Sequence, residues 1–239
     1  MILILAGTAE ARALAGVLAQ RGIPVLASLA GAVRAPGALP VPMRIGGFGG
    51  AAGFLDCLAQ QRVARVIDAT HPFAARITAR TAALCADVGM PLLRLERPGW
   101  QAGPQDRWTW AADLPGAAAL VPPGARVFLA TGRQSVPGFA GLDASAFVRV
   151  IDPPQAPLPM RGDWVQGRPP FALGDEVALL RRLGITHLVA KDSGGTDNRA
   201  KLDAARILGL PVIMIRRPAP PQGLAIVAAV TQALAWAMA

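Results

Sequence analysis

Short runs of Val, Ile and Leu alternate with stretches of helical period along almost the whole chain. The runs predict strands at 1–6, 24–29, 42–45, 65–70, 92–95, 126–130, 147–151, 186–190 and 212–215. Between them, apolar residues recurring at helical spacing predict helices at 9–21, 50–61, 73–88, 111–120, 173–183, 198–208 and 223–237. The strand runs are continuous rather than alternating, as expected where both faces of a strand are covered. Strand–helix alternation then predicts an α/β fold with parallel, doubly wound sheets flanked by helices. The proline-rich stretch from Asp152 to Pro170 breaks the pattern and is expected to cross between two lobes.

An internal echo divides the chain. Pro91-Leu-Leu-Arg-Leu-Glu-Arg-Pro98 resembles Pro211-Val-Ile-Met-Ile-Arg-Arg-Pro218. Upstream of each lies a strand ending in a polar turn, Val66-Ile-Asp-Ala-Thr-His71 in one case and Leu188-Val-Ala-Lys-Asp-Ser193 in the other. Two Rossmann-like lobes with a cleft between them would account for this; convergent strand–loop–helix composition is the alternative. The expected division is an N-terminal lobe at 1–110 and a C-terminal lobe at 111–239, with a boundary near 97–125 and room for the chain to cross more than once.

Composition narrows the class. Hydrophobic residues make up 53% and charged ones 16% of 239 residues, which excludes global disorder. No stretch reaches the roughly 18–20 strongly apolar residues of a membrane span, and the alanine-rich segment from Leu224 to Ala239 reads as a packed amphipathic helix. The chain opens directly on Ile2-Leu-Ile-Leu5 without a basic leader, so no secretory signal is expected. Cys57 and Cys85 lack CxxC spacing, and His71 and His187 are the only histidines, so no metal site is expected and a reducing, cytoplasmic setting fits. The net charge of +9 favours an anionic partner. Its basic residues are scattered, tyrosine is absent and aromatics are 5%, which argues against nucleic acid.

Candidate chemistry gathers at predicted strand ends. Leu5-Ala-Gly-Thr-Ala-Glu-Ala-Arg12 is a small-residue turn with Thr8 as N-cap, where Gly7, Thr8, Ala9 and Arg12 could receive a phosphate at a helix N-terminus. Many α/β proteins have such turns without binding nucleotides. The second strand ends at Ser28-Leu29-Ala30-Gly31, with Arg34 following. A serine with nearby arginines, where an NAD site presents an acid, suits the 2′-phosphate of NADPH. In Gly46-Gly47-Phe48-Gly49-Gly50 the glycines permit close backbone approach, and Phe48 either covers an adenine or plugs the core. Thr70 and His71 close the fourth strand in Asp68-Ala-Thr-His-Pro-Phe73, where Pro72 suits the first turn of a helix and Asp68 suits a conformational anchor. His71 is read as a ligand or proton-donor residue, against an ordinary structural histidine.

Only two lysines occur, Lys191 and Lys201, against 22 arginines among 24 basic residues. An arginine-rich chain that keeps a lysine at a strand end before Ser193-Gly194-Gly195 points to a role for a compact, tunable ammonium; two leftover surface cations are the bland alternative. Arg97, Arg133 and Arg168 near other strand ends and turns suit bidentate carboxylate recognition.

Taken in order, these motifs resemble the precorrin-6A reductase family over nearly the full length: the Gly7-Thr8 turn, Ser28-Leu-Ala-Gly31, Gly46-Gly-Phe-Gly-Gly50, Asp68-Ala-Thr-His-Pro-Phe-Ala74, Arg94-Leu-Glu-Arg-Pro98, Thr131-Gly-Arg-Gln134, Lys191-Asp-Ser-Gly-Gly195, Lys201 and Pro211-Val212. Ala6 departs from the family, which usually has a second glycine there. The resemblance implies NADPH-dependent reduction of one carbon–carbon double bond, converting precorrin-6A to precorrin-6B in cobalamin biosynthesis. It implies a polycarboxylate tetrapyrrole as substrate and a cytoplasmic enzyme, monomeric or in transient complexes with other corrin-pathway enzymes. In this reading Lys191 tunes the acceptor or delivers a proton, with His71 and Ser193 as further catalytic candidates. Arg97, Arg133, Arg168, Lys191, Ser193, Gly194, Gly195 and Lys201 meet the macrocycle. The rivals are the cobalt-precorrin-6A reduction of the anaerobic pathway, a reductase of another unsaturated acid, and a non-catalytic anion- or nucleic-acid-binding protein.

Overall fold

The computed structural model describes residues 1–31, 37–152 and 154–239, so Arg34 lies outside the described residues. The chain begins with β1 (Ile2–Leu5), α1 (Ala9–Gln20), β2 (Val25–Leu29), β3 (Met43–Ile45), α2 (Ala51–Gln60), β4 (Arg65–Asp68), α3 (Ala75–Asp87) and β5 (Leu92–Leu95). It continues with β6 (Trp108–Ala111), α4 (Leu114–Ala119), β7 (Arg126–Ala130), a 3₁₀ segment at Arg133–Phe139, β8 (Ser145–Val150) and β9 (Gly162–Gln166). The remaining elements are α5 (Leu173–Arg182), β10 (His187–Lys191), α6 (Ala200–Ile207), β11 (Val212–Ile215), β12 (Ile226–Val227) and α7 (Val230–Met238).

Two six-stranded parallel sheets result, ordered β12-β5-β4-β1-β2-β3 and β6-β11-β10-β7-β8-β9. Read from β3, the first sheet has the doubly wound order 3-2-1-4-5-6 if β12 counts as its sixth strand. The second has the same order if β7 is its first strand and β6 its sixth. The sixth strand of each sheet therefore comes from the opposite end of the chain to the one expected of a simple tandem repeat. The echoed segments occupy matching places: β5 and β11 are the fifth strands, and β4 and β10 the fourth.

The chain divides into one unit of Met1–Pro98 with Pro218–Ala239, and another of Gly99–Arg217. The first crossing falls ahead of 110/111 but within the 97–125 region, because β6 pairs with β11. The tail returns to the first unit, a second crossing of the kind allowed for, because β12 pairs with β5. The stretch from 152 to 170 does not cross. It stays within the second unit and contributes β9.

Helix burial follows the sequence period. In α1, Ala11, Leu14, Ala15 and Leu18 are buried, and with Ile2, Ile4, Ala27, Leu93 and Ala233 they form the core on one face of the first sheet. Leu3, Leu5, Val66, Phe54, Leu58 and Cys85 build the core on its other face under α2 and α3. In the second unit, α5 and α6 close over Phe128, Leu188, Ala190, Val212 and Met214, using Leu180, Leu202 and Ala205. The strands are apolar on both faces because helices cover both.

Candidate functional site at the strand ends

In a parallel sheet every strand delivers its following loop to the same edge, and ligands bind where the winding reverses. In the first unit that point lies between β1 and β4. The turn after β1 needs Gly7, whose φ of +146° suits glycine and where an added side chain would meet nothing within 4 Å. The Thr8 hydroxyl is fully engaged: it accepts from the Ala11 N–H at 3.1 Å and donates to the Ala69 carbonyl at 2.9 Å. Thr8 thus ties the two loops of the switch point together, beside the first N–H groups of α1. Arg12 turns away to the Gly37 and Ala38 carbonyls.

Ser28, the penultimate residue of β2, has its hydroxyl accepting a 2.8 Å bond from Arg44 of β3. Arg44 also donates to the Gly46 and Gly47 carbonyls at 3.1 and 2.9 Å, and its guanidinium lies 3.9 Å from the centre of the Phe48 ring. Phe48 in turn meets Phe54 edge-on at 5.0 Å. Phe48 is part-buried and packs against the core, with the Arg44 guanidinium over one face of its ring. Sequence reading passed over Arg44 because nothing in Met43-Arg-Ile45 marks the polar residue as the inward one.

Asp68, completely buried, is the hub of the loop after β4. It accepts from the Thr70 N–H at 3.0 Å, the Thr70 hydroxyl at 2.7 Å, the Thr78 hydroxyl at 2.6 Å and Arg94 at 2.7 Å. Arg94 is buried too and bonds Thr78 and Glu96 as well. Asp68 is therefore the expected anchor, with its lone pairs committed. The helix after it begins at Ala75 rather than at 73, so Pro72 lies in a turn, closed by the Ala74 N–H on the His71 carbonyl, instead of in the first helical turn. His71 Nδ1 accepts from the Phe73 N–H at 3.2 Å. In the neutral ring this bond assigns the proton to Nε2, making that nitrogen the donor.

Arg97, expected beside Arg133 and Arg168, belongs instead to the first unit. It pairs at 2.6 Å with Glu10 in the first turn of α1, so it stands on the same edge as the Gly7–Thr8 turn.

The winding of the second unit reverses between β7 and β10. Arg133, exposed, opens the 3₁₀ segment after β7 and Arg168, also exposed, follows β9. Lys191 is the last residue of β10; its burial lowers the pKa of the ammonium. Ser193, Gly194 and Gly195 form the turn beyond it, the two glycines at φ +63° and +75°. All these residues share the carboxyl edge of one sheet. Lys201, near the start of α6, does not present its ammonium outward: it donates to the Asn198 carbonyl and lies 5.1 Å from the centre of the Trp100 ring. Desolvation lowers its pKa from 10.5 to about 8, with Glu176 and Arg149 acting in opposite senses. Trp100 and Asp192, which hold this turn, were also passed over; a tryptophan remote in sequence gives no local signal.

The family model described as precorrin-6x reductase CbiJ/CobK matches residues 1–238. The chain belongs to that family. A precorrin-6A reductase of Rhodococcus erythropolis is 51% identical over 239 residues, covering 98% of this chain and 96% of its own. One from Mycobacterium tuberculosis is 46% identical over 238 residues, with 98% and 96% covered. A cobalt-precorrin-6A reductase of Priestia megaterium is 30% identical over 236 residues, covering 91% of each chain. The solved structure titled CobK precorrin-6A reductase superposes with a TM-score of 0.94 at 46% identity, spanning 99% of this chain and 95% of that one. Among the described residues no helix is long and apolar enough to cross a membrane.

Proposed function

We propose that this protein reduces one ring carbon–carbon double bond of precorrin-6A in cobalamin biosynthesis, with NADPH as the electron source. The observation that carries this reading is the match to precorrin-6A reductases across 98% of the chain. Identities of 46–51% to those enzymes, against 30% to a cobalt-precorrin-6A reductase, favour the metal-free ring.

The first unit fits a dinucleotide phosphate. Gly7 leaves open space where a side chain would stand, and the first N–H groups of α1 with the nearby Arg97 suit a diphosphate. Arg44 beside Ser28 suits a 2′-phosphate, with its guanidinium face available to an adenine. When bound, NADPH supplies a hydride for one carbon of the double bond while the neighbouring carbon gains a proton. Two electrons and two hydrogens are thus added, and one NADPH and one proton are consumed. His71, whose Nδ1 accepts from the Phe73 N–H, is the candidate to offer an Nε2–H to the bound cofactor or substrate.

The second unit suits the macrocycle's acetate and propionate arms. In this reading Ser193 and the amides of Gly194 and Gly195 grip one carboxylate, and Arg133 and Arg168 on the same edge add cations. Lys191, its pKa lowered by burial, is the candidate for proton delivery or for stabilising charge on the ring. A cytoplasmic setting accords with free Cys57 and Cys85. The reading includes a monomer, or transient complexes with other corrin-pathway enzymes, and no nucleic-acid partner.

Anaerobic incubation with metal-free precorrin-6A, following NADPH absorbance and the pigment spectrum together, tests the proposal. Stoichiometric loss of NADPH with a less conjugated pigment is expected. Turnover of only the cobalt-loaded ring would replace the metal-free reading; turnover of neither would reject both.

A further inference from the structure

The Lys191–Gly195 turn contains two consecutive glycines in the left-handed region, a conformation that the backbone alone does not hold rigidly. A loop that must be ordered by its ligand loses affinity in proportion to the freedom it gives up. Here one residue brackets the turn. The Trp100 backbone N–H donates to Asp192 Oδ1 at 2.8 Å, and its indole Nε1–H donates to the Gly195 carbonyl at 2.7 Å. Trp100 is buried, which shields the bond to Asp192 from water, and the bond to Gly195 is part-buried. Asp192 is fixed independently by Arg217, whose Nε donates to its carbonyl at 2.8 Å and lies 3.4 Å from its carboxylate. The carboxylate also packs so closely that a side chain at Gly99 would stand 2.5 Å from it. Lys201 presses on the ring face and holds the far end of the loop at Asn198.

We propose that Trp100 is a positioning residue: by holding Asp192 and Gly195 together it sets the amides of Gly194 and Gly195 in the geometry that receives a tetrapyrrole carboxylate, the Ser193 N–H being committed to the Lys191 carbonyl at 2.7 Å. The inference rests on the reductase function proposed above.

Trp100→Phe keeps an aromatic face for Lys201 but removes the indole N–H from the Gly195 carbonyl. The KM for precorrin-6A is expected to rise about tenfold. The kcat and the KM for NADPH should each change by less than about twofold. A merely structural role would lower the active fraction, seen as reduced kcat with unchanged KM, and that result would overturn the proposal, as would unchanged kinetics. Should Trp100→Phe fail to fold, Asp192→Asn decides by the same criterion, with a rise of about threefold expected from the weakened bond. Wild-type protein inactive on precorrin-6A would remove the functional reading and this inference with it. An active wild type with an indifferent Trp100→Phe removes only this one.

Discussion

Arg44 illustrates how one side chain can be illegible in sequence and central in structure. It sits on the three-residue edge strand β3, where Met43 and Ile45 are exposed and the arginine is the part-buried residue, the reverse of the usual apolar-in pattern. Ser28 and the Gly46–Gly50 turn could be read from sequence, because strand ends and glycine clusters are local signals; the cation joining them could not. Phe48 covers one guanidinium face while Ser28 and the glycine turn orient its nitrogens. If that arrangement receives the 2′-phosphate, Arg44→Ala should raise the KM for NADPH by about 10–100-fold, the size of a lost charge-assisted hydrogen bond or two. The KM for NADH should move far less. Equal losses for both cofactors in steady-state assays would assign Arg44 to the Gly46–Gly50 turn's architecture alone.

At the scale of elements, the nine strands expected from apolar runs are present, and β6, β9 and β12 are additional. All three lie at the edges of their sheets. An edge strand is covered on fewer sides, so its sequence need not be a continuous aliphatic run. β6 is Trp-Thr-Trp-Ala, β9 is Gly-Asp-Trp-Val-Gln, and β12 is two residues long. Asp68 shows the opposite case. Its place at the end of a buried strand made an anchoring role readable, although its partner Arg94 lies on the neighbouring strand in register with it. Asp68→Ala would leave the Arg94 guanidinium buried without that carboxylate and the Thr70 loop without its acceptor. The expected cost is about 3–5 kcal/mol of stability, measured by urea denaturation. A loss under about 1 kcal/mol would mean that Glu96 and Thr78 suffice for Arg94.

For the whole molecule, the charge of +9 favours anionic over cationic partners, and burial sets the pH response. Lys201 titrates at about 8 in the fold against 10.5 ordinarily. Below about 8 it is protonated in both states, and burial of the charge opposes folding in full. Between 8 and 10.5 the unfolded chain binds the proton that the folded one has lost, so its contribution to stability rises with pH. Cys85 acts in the reverse sense: its thiol stays protonated in the fold to about 11 against 9.0 ordinarily, so stability falls across that interval. Wild type should therefore gain on Lys201→Met in urea unfolding as pH rises from 8 to 10.5; a constant gap would show that the ammonium is not desolvated. The exchanged sixth strands carry a consequence for biogenesis. A ribosome releases β5 long before β12, and the entire second unit is translated in between. Throughout that interval the nascent first sheet carries a bare hydrogen-bonding edge and lacks α7 over its core. The second unit, whose strands are contiguous in the chain, can close first, so the portion synthesised earliest is the one completed last.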